Sequence, residues 1–223
     1  MALVWKEAFL QVRGMMAMLI WLCVMAIFIS IVPILVPQRD SDMPVRYLLF
    51  LMQGVSLMSI TMPLAQLGFI EVLRRVDLLK PLPFSSTVIS FVEVLGRAML
   101  GILASLVSTI AVAVAKPSLA VDAFGAFILV IGLSTLMSAS VWLVTILFPD
   151  FDDHTQRQFR GFLTLIAVAV LGFFPVVVFL PLWLLLHWPS PLAALLATAI
   201  ALAMSGAVCL MSGKLYEGYN PSE

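Results

Sequence analysis

Long apolar runs alternate along the chain with short polar breaks. Six runs stand out, at about 15–36, 47–70, 95–115, 124–148, 161–182 and 191–212. Each holds about 20 residues or more, enough at about 1.5 Å per helical residue to cross about 30 Å of hydrocarbon. None carries an Asp, Glu, Lys or Arg near its middle. The strands of a membrane barrel would alternate apolar and polar positions over about ten residues, and these runs are continuously apolar. The pattern predicts an all-α fold: a polytopic membrane protein of six transmembrane helices, with residues 1–223 as a single transmembrane domain. Ahead of the first run, Trp5, Phe9 and Val12 share one helical face and Lys6 and Arg13 another. That predicts a short interfacial helix over 2–13, apolar side down.

The longest polar break runs from Glu71 to Thr87 and carries Glu71, Arg74, Arg75, Asp77 and Lys80. Together with the residues that lead into the third run, it defines an expected water-facing loop over 71–94. Orientation follows from the cations. With the N-terminus inside, Lys6, Arg13, Arg74, Arg75, Lys80, Arg97, Arg157, Arg160 and Lys214 fall on the inner side, and Arg39, Arg46 and Lys116 on the outer. An even number of spans then places both termini in the cytoplasm. The first run is too long for the apolar region of a signal peptide and lacks a small-x-small cleavage site, so it reads as an uncleaved span.

The outer breaks are short: Pro37–Arg46, Lys116–Asp122, and a Pro-rich stretch around His187-Trp188-Pro189. Before the last of these, Pro175 and Pro181 interrupt a run of apolar residues. Two readings are open. Either the span ends near Leu180 and a re-entrant or interfacial turn follows over Pro181–His187, or one long helix passes through both prolines. Trp183 and Trp188 suit an aromatic belt at that level. The second inner break, Phe148 to Gly161, holds Pro149, Asp150, Asp152, Asp153, His154, Arg157 and Arg160. Carboxylates crowded beside arginines read as a solvated loop with internal ion pairs rather than a metal site.

Composition sharpens this picture without changing it. Hydrophobic residues make up 63% of the chain and charged residues 11%, with mean hydropathy +1.15, against about 25% charged in an ordinary soluble domain. The net charge is zero, so no basic footprint for nucleic acid is present. Cys23 and Cys209 both lie in apolar runs and read as buried small residues rather than a disulfide.

Candidate chemistry is sparse. Ser212-Gly213-Lys214-Leu215 lacks the upstream glycine and the hydroxyl residue of a phosphate-binding loop. No H-E-x-x-H or C-x-x-C occurs. Carboxylates deep in spans would mark an ion or proton path, and Glu71 and Glu93 lie only at inner ends. Gln53 and Gln66 are the strongly polar groups at depth, read as interhelical hydrogen-bonding residues. Gly101, Ala104 and Ser108 form a stripe suited to close helix packing. Glu93 and Arg97, at i and i+4, are placed to form an orienting ion pair on the helix that enters the third span.

The inner loops carry a resemblance. Glu71, Arg74-Arg75, Leu78-Leu79, Leu82-Pro83-Phe84-Ser85 and then Gly96-Arg97 resemble the loop between spans two and three of permease subunits of the second type of ABC exporter. In place of that family's Gly-Thr after the basic pair stands Val76-Asp77. Leu147-Phe148-Pro149-Asp150-Phe151 is similar to the start of the loop after their fourth span. The resemblance implies a partner-docking coupling segment at Glu71, Arg74, Arg75, Asp77, Leu78, Leu79, Pro83, Phe84 and Ser85. It implies a second cytoplasmic contact around Pro149, Asp150, Asp152 and Arg157, and a gating role for Glu93 and Arg97. It also implies an ABC ATPase subunit as partner, with ATP bound there and no cofactor, metal or catalytic residue on this chain. A second permease half would complete a translocation path in a bacterial inner membrane. A non-transporting membrane scaffold, or a membrane enzyme acting on lipid, remains open from the residues alone.

Overall fold

The computed structural model describes residues 30–31, 34–35, 43–58, 62–74, 85–149 and 154–218. Every regular element among them is helical: α1 (Met43–Ser56), α2 (Met62–Arg74), α3 (Ser86–Ala115), α4 (Ala120–Leu147), α5 (His154–Leu184) and α6 (Ser190–Gly218). Helices α3, α5 and α6, and α4 with the 3₁₀ turn Pro117–Leu119 ahead of it, are each long and apolar enough to cross a membrane. At about 1.5 Å per residue each exceeds about 40 Å, so each outruns the hydrocarbon and carries its polar ends beyond it. The chain is an integral membrane protein by this measure. The expected helix over 2–13, and the first apolar run apart from residues 30–31 and 34–35, lie outside the described residues.

Local chemistry sets the helix ends. Ser85 takes an extended backbone (φ −67°, ψ 146°), and its Oγ accepts from the Val88 amide at 3.4 Å, capping α3. At the far end Lys116 leaves the helical region (φ −137°, ψ 84°) because Pro117 follows it and crowds the α conformation. The same device ends α4, where Phe148 (φ −130°, ψ 73°) precedes Pro149. Pro191 follows the first residue of α6, Ser190, where a missing amide costs nothing.

Over the run at 47–70 the described residues form α1 and α2, of 14 and 13 residues, with Leu57 and Met58 in a wider π-type turn; residues 59–61 lie outside the described residues. Pro63 lies in the first turn of α2, the place in a helix where proline is best tolerated. Neither piece alone spans about 30 Å. Of the two readings open for Pro181–His187, the structure has the long helix through both prolines. Helix α5 continues through both Pro175 and Pro181 to Leu184, so the span does not end near Leu180 and no re-entrant segment begins there. The chain reverses at His187, which adopts φ 52°, a left-handed conformation uncommon for a residue with a Cβ.

Helix α4 sits at the centre, with 78% of its most apolar stretch buried, and it is apolar on all sides as such a position demands. Helix α6 lies parallel to it: Gly125 meets Ser190, Gly132 meets Thr198, and Trp142 meets Tyr216. A Cβ on Gly132 would lie 2.9 Å from the Thr198 Cα. The two backbones therefore approach as closely as small-residue interfaces in membranes allow. Helix α3 runs antiparallel to α4, with Ser134 Oγ donating to the Ala98 carbonyl at 2.9 Å and Thr109 Oγ1 to that of Ala123 at 3.4 Å. Helices α1 and α2 follow the direction of α4, from Arg46 beside Asp122 to Phe69 against Trp142.

Candidate functional site

Chain direction fixes two ends of the bundle. At one end lie the start of α3, the end of α6, the close of α4 and the first turn of α5. Thr87 packs on Gly213 so closely that a Cβ on that glycine would lie 2.6 Å from the Thr87 Cγ2. Most described members of the expected docking set belong to this end. Glu71 is exposed in the last turn of α2, and Arg74 closes that helix. Ser85 is the cap of α3. Pro149 follows α4, and Arg157 is in the first turn of α5. Arg75, Asp77, Leu78, Leu79, Pro83, Phe84, Asp150 and Asp152 lie outside the described residues. Of the loop expected over 71–94, residues 86–94 form the opening turns of α3.

Inside this end, Glu93 Oε2 lies 3.9 Å from Arg97 Nη2. The same nitrogen donates to the Gly68 carbonyl of α2 at 3.5 Å. Gly68 is what admits the guanidinium, since a Cβ there would sit 2.4 Å from its central carbon. Arg97 therefore ties α3 to α2 as well as to Glu93. Arg160 is buried, not solvated, and its Nη1 donates to the Phe148 carbonyl at 3.2 Å. Phe159 stands edge-on to Phe148 at 5.4 Å. The α4–α5 connection is thus stitched from beneath, beside a recess of about 500 Å³ bounded by Leu147, Pro149 and Gln156. Trp142, fully buried between Phe69 and Tyr216, leaves its Nε1 without a partner, as does the Tyr216 hydroxyl.

The opposite end holds a site that sequence reading missed. Asp122 was assigned to a loop, but α4 begins at Ala120 and buries it in the first turn. Ser190 Oγ donates to Asp122 Oδ1 at 2.6 Å. Arg46 Nε lies 3.1 Å from Oδ2 without a hydrogen-bonding direction, so that contact is ionic. The available signals were an acidic residue in a helical first turn, where the dipole favours it, and Gly125 one turn later. Arg46 also borders a small recess of about 140 Å³ with Trp183, His187 and Trp188.

Two further features lie between the ends. Gln53 Nε2 donates to Ser108 Oγ at 2.8 Å, and Ser105 Oγ donates to Gln53 Oε1 at 3.0 Å. Ser30 Oγ shares a hydrogen bond with Ser108 Oγ. This buried seam joins α1, α3 and the helical segment that carries Ser30, in the manner expected of Gln53. Gln66 is half-buried on α2. On the other side, a lateral apolar hollow of about 460 Å³ opens between α1, α4 and α5. Among the described residues no three His, Cys, Asp or Glu side chains gather at one point.

Comparison with protein-family models, with curated proteins and with solved structures finds no match to this chain.

Proposed function

We propose that the chain is the membrane-embedded permease subunit of an ATP-driven exporter. It would work as one half of a dimer and take its energy from a separate ATPase docked on its cytoplasmic end. The reading rests on the loop motifs between Glu71 and Arg97 and from Leu147 to Phe151. One structural observation supports it: both loops leave the helical bundle at the same end, where a single soluble partner can touch both. The rest of the arrangement is consistent with transmitted motion. Ser85 caps a helix of 30 residues, so a push on residues 75–84 would be carried rigidly along α3. Arg97 passes it to α2 through the Gly68 carbonyl.

In this reading the chain crosses the membrane six times. The first apolar run and the α1–α2 pair supply two spans beside the four long helices. The positive-inside balance puts the Arg97 end in the cytoplasm. Charge reversal tests the docking surface: Arg74→Glu with Arg75→Glu is expected to abolish co-purification of the chain with a Walker-A-bearing ATPase while leaving its membrane insertion intact. An undiminished complex would remove these residues from the docking role.

A further inference from the structure

The lateral hollow between α1, α4 and α5 has a narrow range of possible occupants. Its walls are Leu51 and Val55 on α1, Met58 in the π-type turn after it, Met137 on α4, and Phe173 and Val176 on α5. It lies midway along α4 and α5, at a depth where hydrocarbon is the surrounding solvent. Leu51 and Phe173 are each 60% exposed, so the hollow is open sideways. Its single polar lining group, the Ser140 hydroxyl, is spent on the Leu136 carbonyl at 2.7 Å. No side-chain donor is left over for a polar ligand, and the one side-chain oxygen in the lining is the Ser140 hydroxyl.

Two glycines shape it. A Cβ added at Gly54 or at Gly172 would meet nothing within 4 Å, unlike Gly125 or Gly132, whose missing side chains are filled by α6. Gly54 and Gly172 therefore do not serve helix contact, and the space above them is vacant. Close-packed membrane interiors do not leave such space empty at bilayer depth. Ser30, in the first apolar run, binds Ser108 on α3, on the Gln53 side of α1, about half a helical turn from Leu51, Val55 and Met58. A helix of a second copy, about 10 Å across, would exhaust 460 Å³ within about one turn. A single flexible alkyl chain suits a slot of this size, and Met58 and Met137 supply walls that adapt to its bends.

We infer that this hollow is a binding site for one acyl chain of a bilayer phospholipid, held between α1 and α5 over the mid-section of α4. The site does not depend on the ATPase assignment and would be present in a scaffold or an enzyme alike. The full-length protein in nanodiscs of phosphatidylcholine, doped with a phosphatidylcholine that carries a diazirine in its acyl chain, provides the test. After irradiation, label is expected on Met58, Phe173 and Val176 at about tenfold the density found on Leu202, a membrane-facing residue of α6. Gly54→Leu or Gly172→Leu, each filling the slot, should bring the three residues down to the Leu202 level. Label on Leu202 itself should stay constant and so report an intact fold. Equal labelling of the hollow and Leu202 in the unaltered protein would overturn the inference, as would labelling that neither leucine reduces. A Val55→Cys variant that cross-links quantitatively between two copies would overturn it in favour of a protein occupant.

Discussion

Asp122 lies two residues before the apolar run that begins at Phe124, yet it belongs to the same helix. A helix begins where its backbone can, and here that is directly after the turn forced by Pro117. Asp122 is then carried into the first turn and faces Ser190. Two partners hold it, and they are not equal. The Ser190 hydroxyl is buried and donates at 2.6 Å to a carboxyl oxygen of Asp122, a bond worth about 1.5–3 kcal/mol. The Arg46 side chain is 40% exposed, so its ionic contact is discounted to about 1 kcal/mol or less. Ser190→Ala is therefore expected to lower the thermal stability of the purified protein by more than Arg46→Gln does. The opposite ranking in a detergent melting series would show that the ionic contact dominates. Gln53, in contrast, was legible in the sequence: a strongly polar side chain at span depth must find partners on other helices, and it does. The docking role proposed for Arg75, Asp77, Leu78, Leu79, Pro83 and Phe84 rests on the loop motif.

At the scale of elements, the length of the continuous apolar runs located α3, α4, α5 and α6 but misplaced their ends. The helices start earlier than the apolar runs because a polar turn can be helical once it has left the hydrocarbon. Pro175 and Pro181 left two readings open, and α5 passes through both because it is anchored beyond them: Phe179 and Trp183 stack against each other at 5.5 Å, and Phe50 lies 4.7 Å from Trp183. Gly125 and Gly132, one heptad apart, admit α6 at the α4–α6 interface, where Ala197 and Ala201 on the facing helix are fully buried. That interface gives a sharp contrast between glycines. Gly132→Ala places a methyl 2.9 Å from the Thr198 backbone and should cost about 1–3 kcal/mol through overpacking. Gly206→Ala meets nothing within 4 Å and should be neutral or stabilise α6 by up to about 1 kcal/mol through helix propensity. Equal melting temperatures for the two variants would mean that α4 and α6 are not in backbone contact.

For the molecule as a whole, the account is of a bundle with two chemically different ends and an apolar waist. One end is closed by a buried Asp122–Ser190 bond and short turns. The other gathers the close of α2 and α4 and the start of α3 and α5, with the Arg97 tie between α2 and α3 and buried Arg160 on the Phe148 carbonyl. The central claim is that an ATPase docks on this second end and on no other part. Site-specific photocross-linking tests it most directly, with a benzophenone amino acid placed in turn at Glu71, Thr155 and Ser118. All three positions are exposed, the first two at the Arg97 end and the third at the Asp122 end. The expected result is one cross-linked ATP-hydrolysing polypeptide from both Glu71 and Thr155 and none from Ser118. Failure to capture an ATPase from either of the first two positions, or its capture from Ser118, would contradict the account.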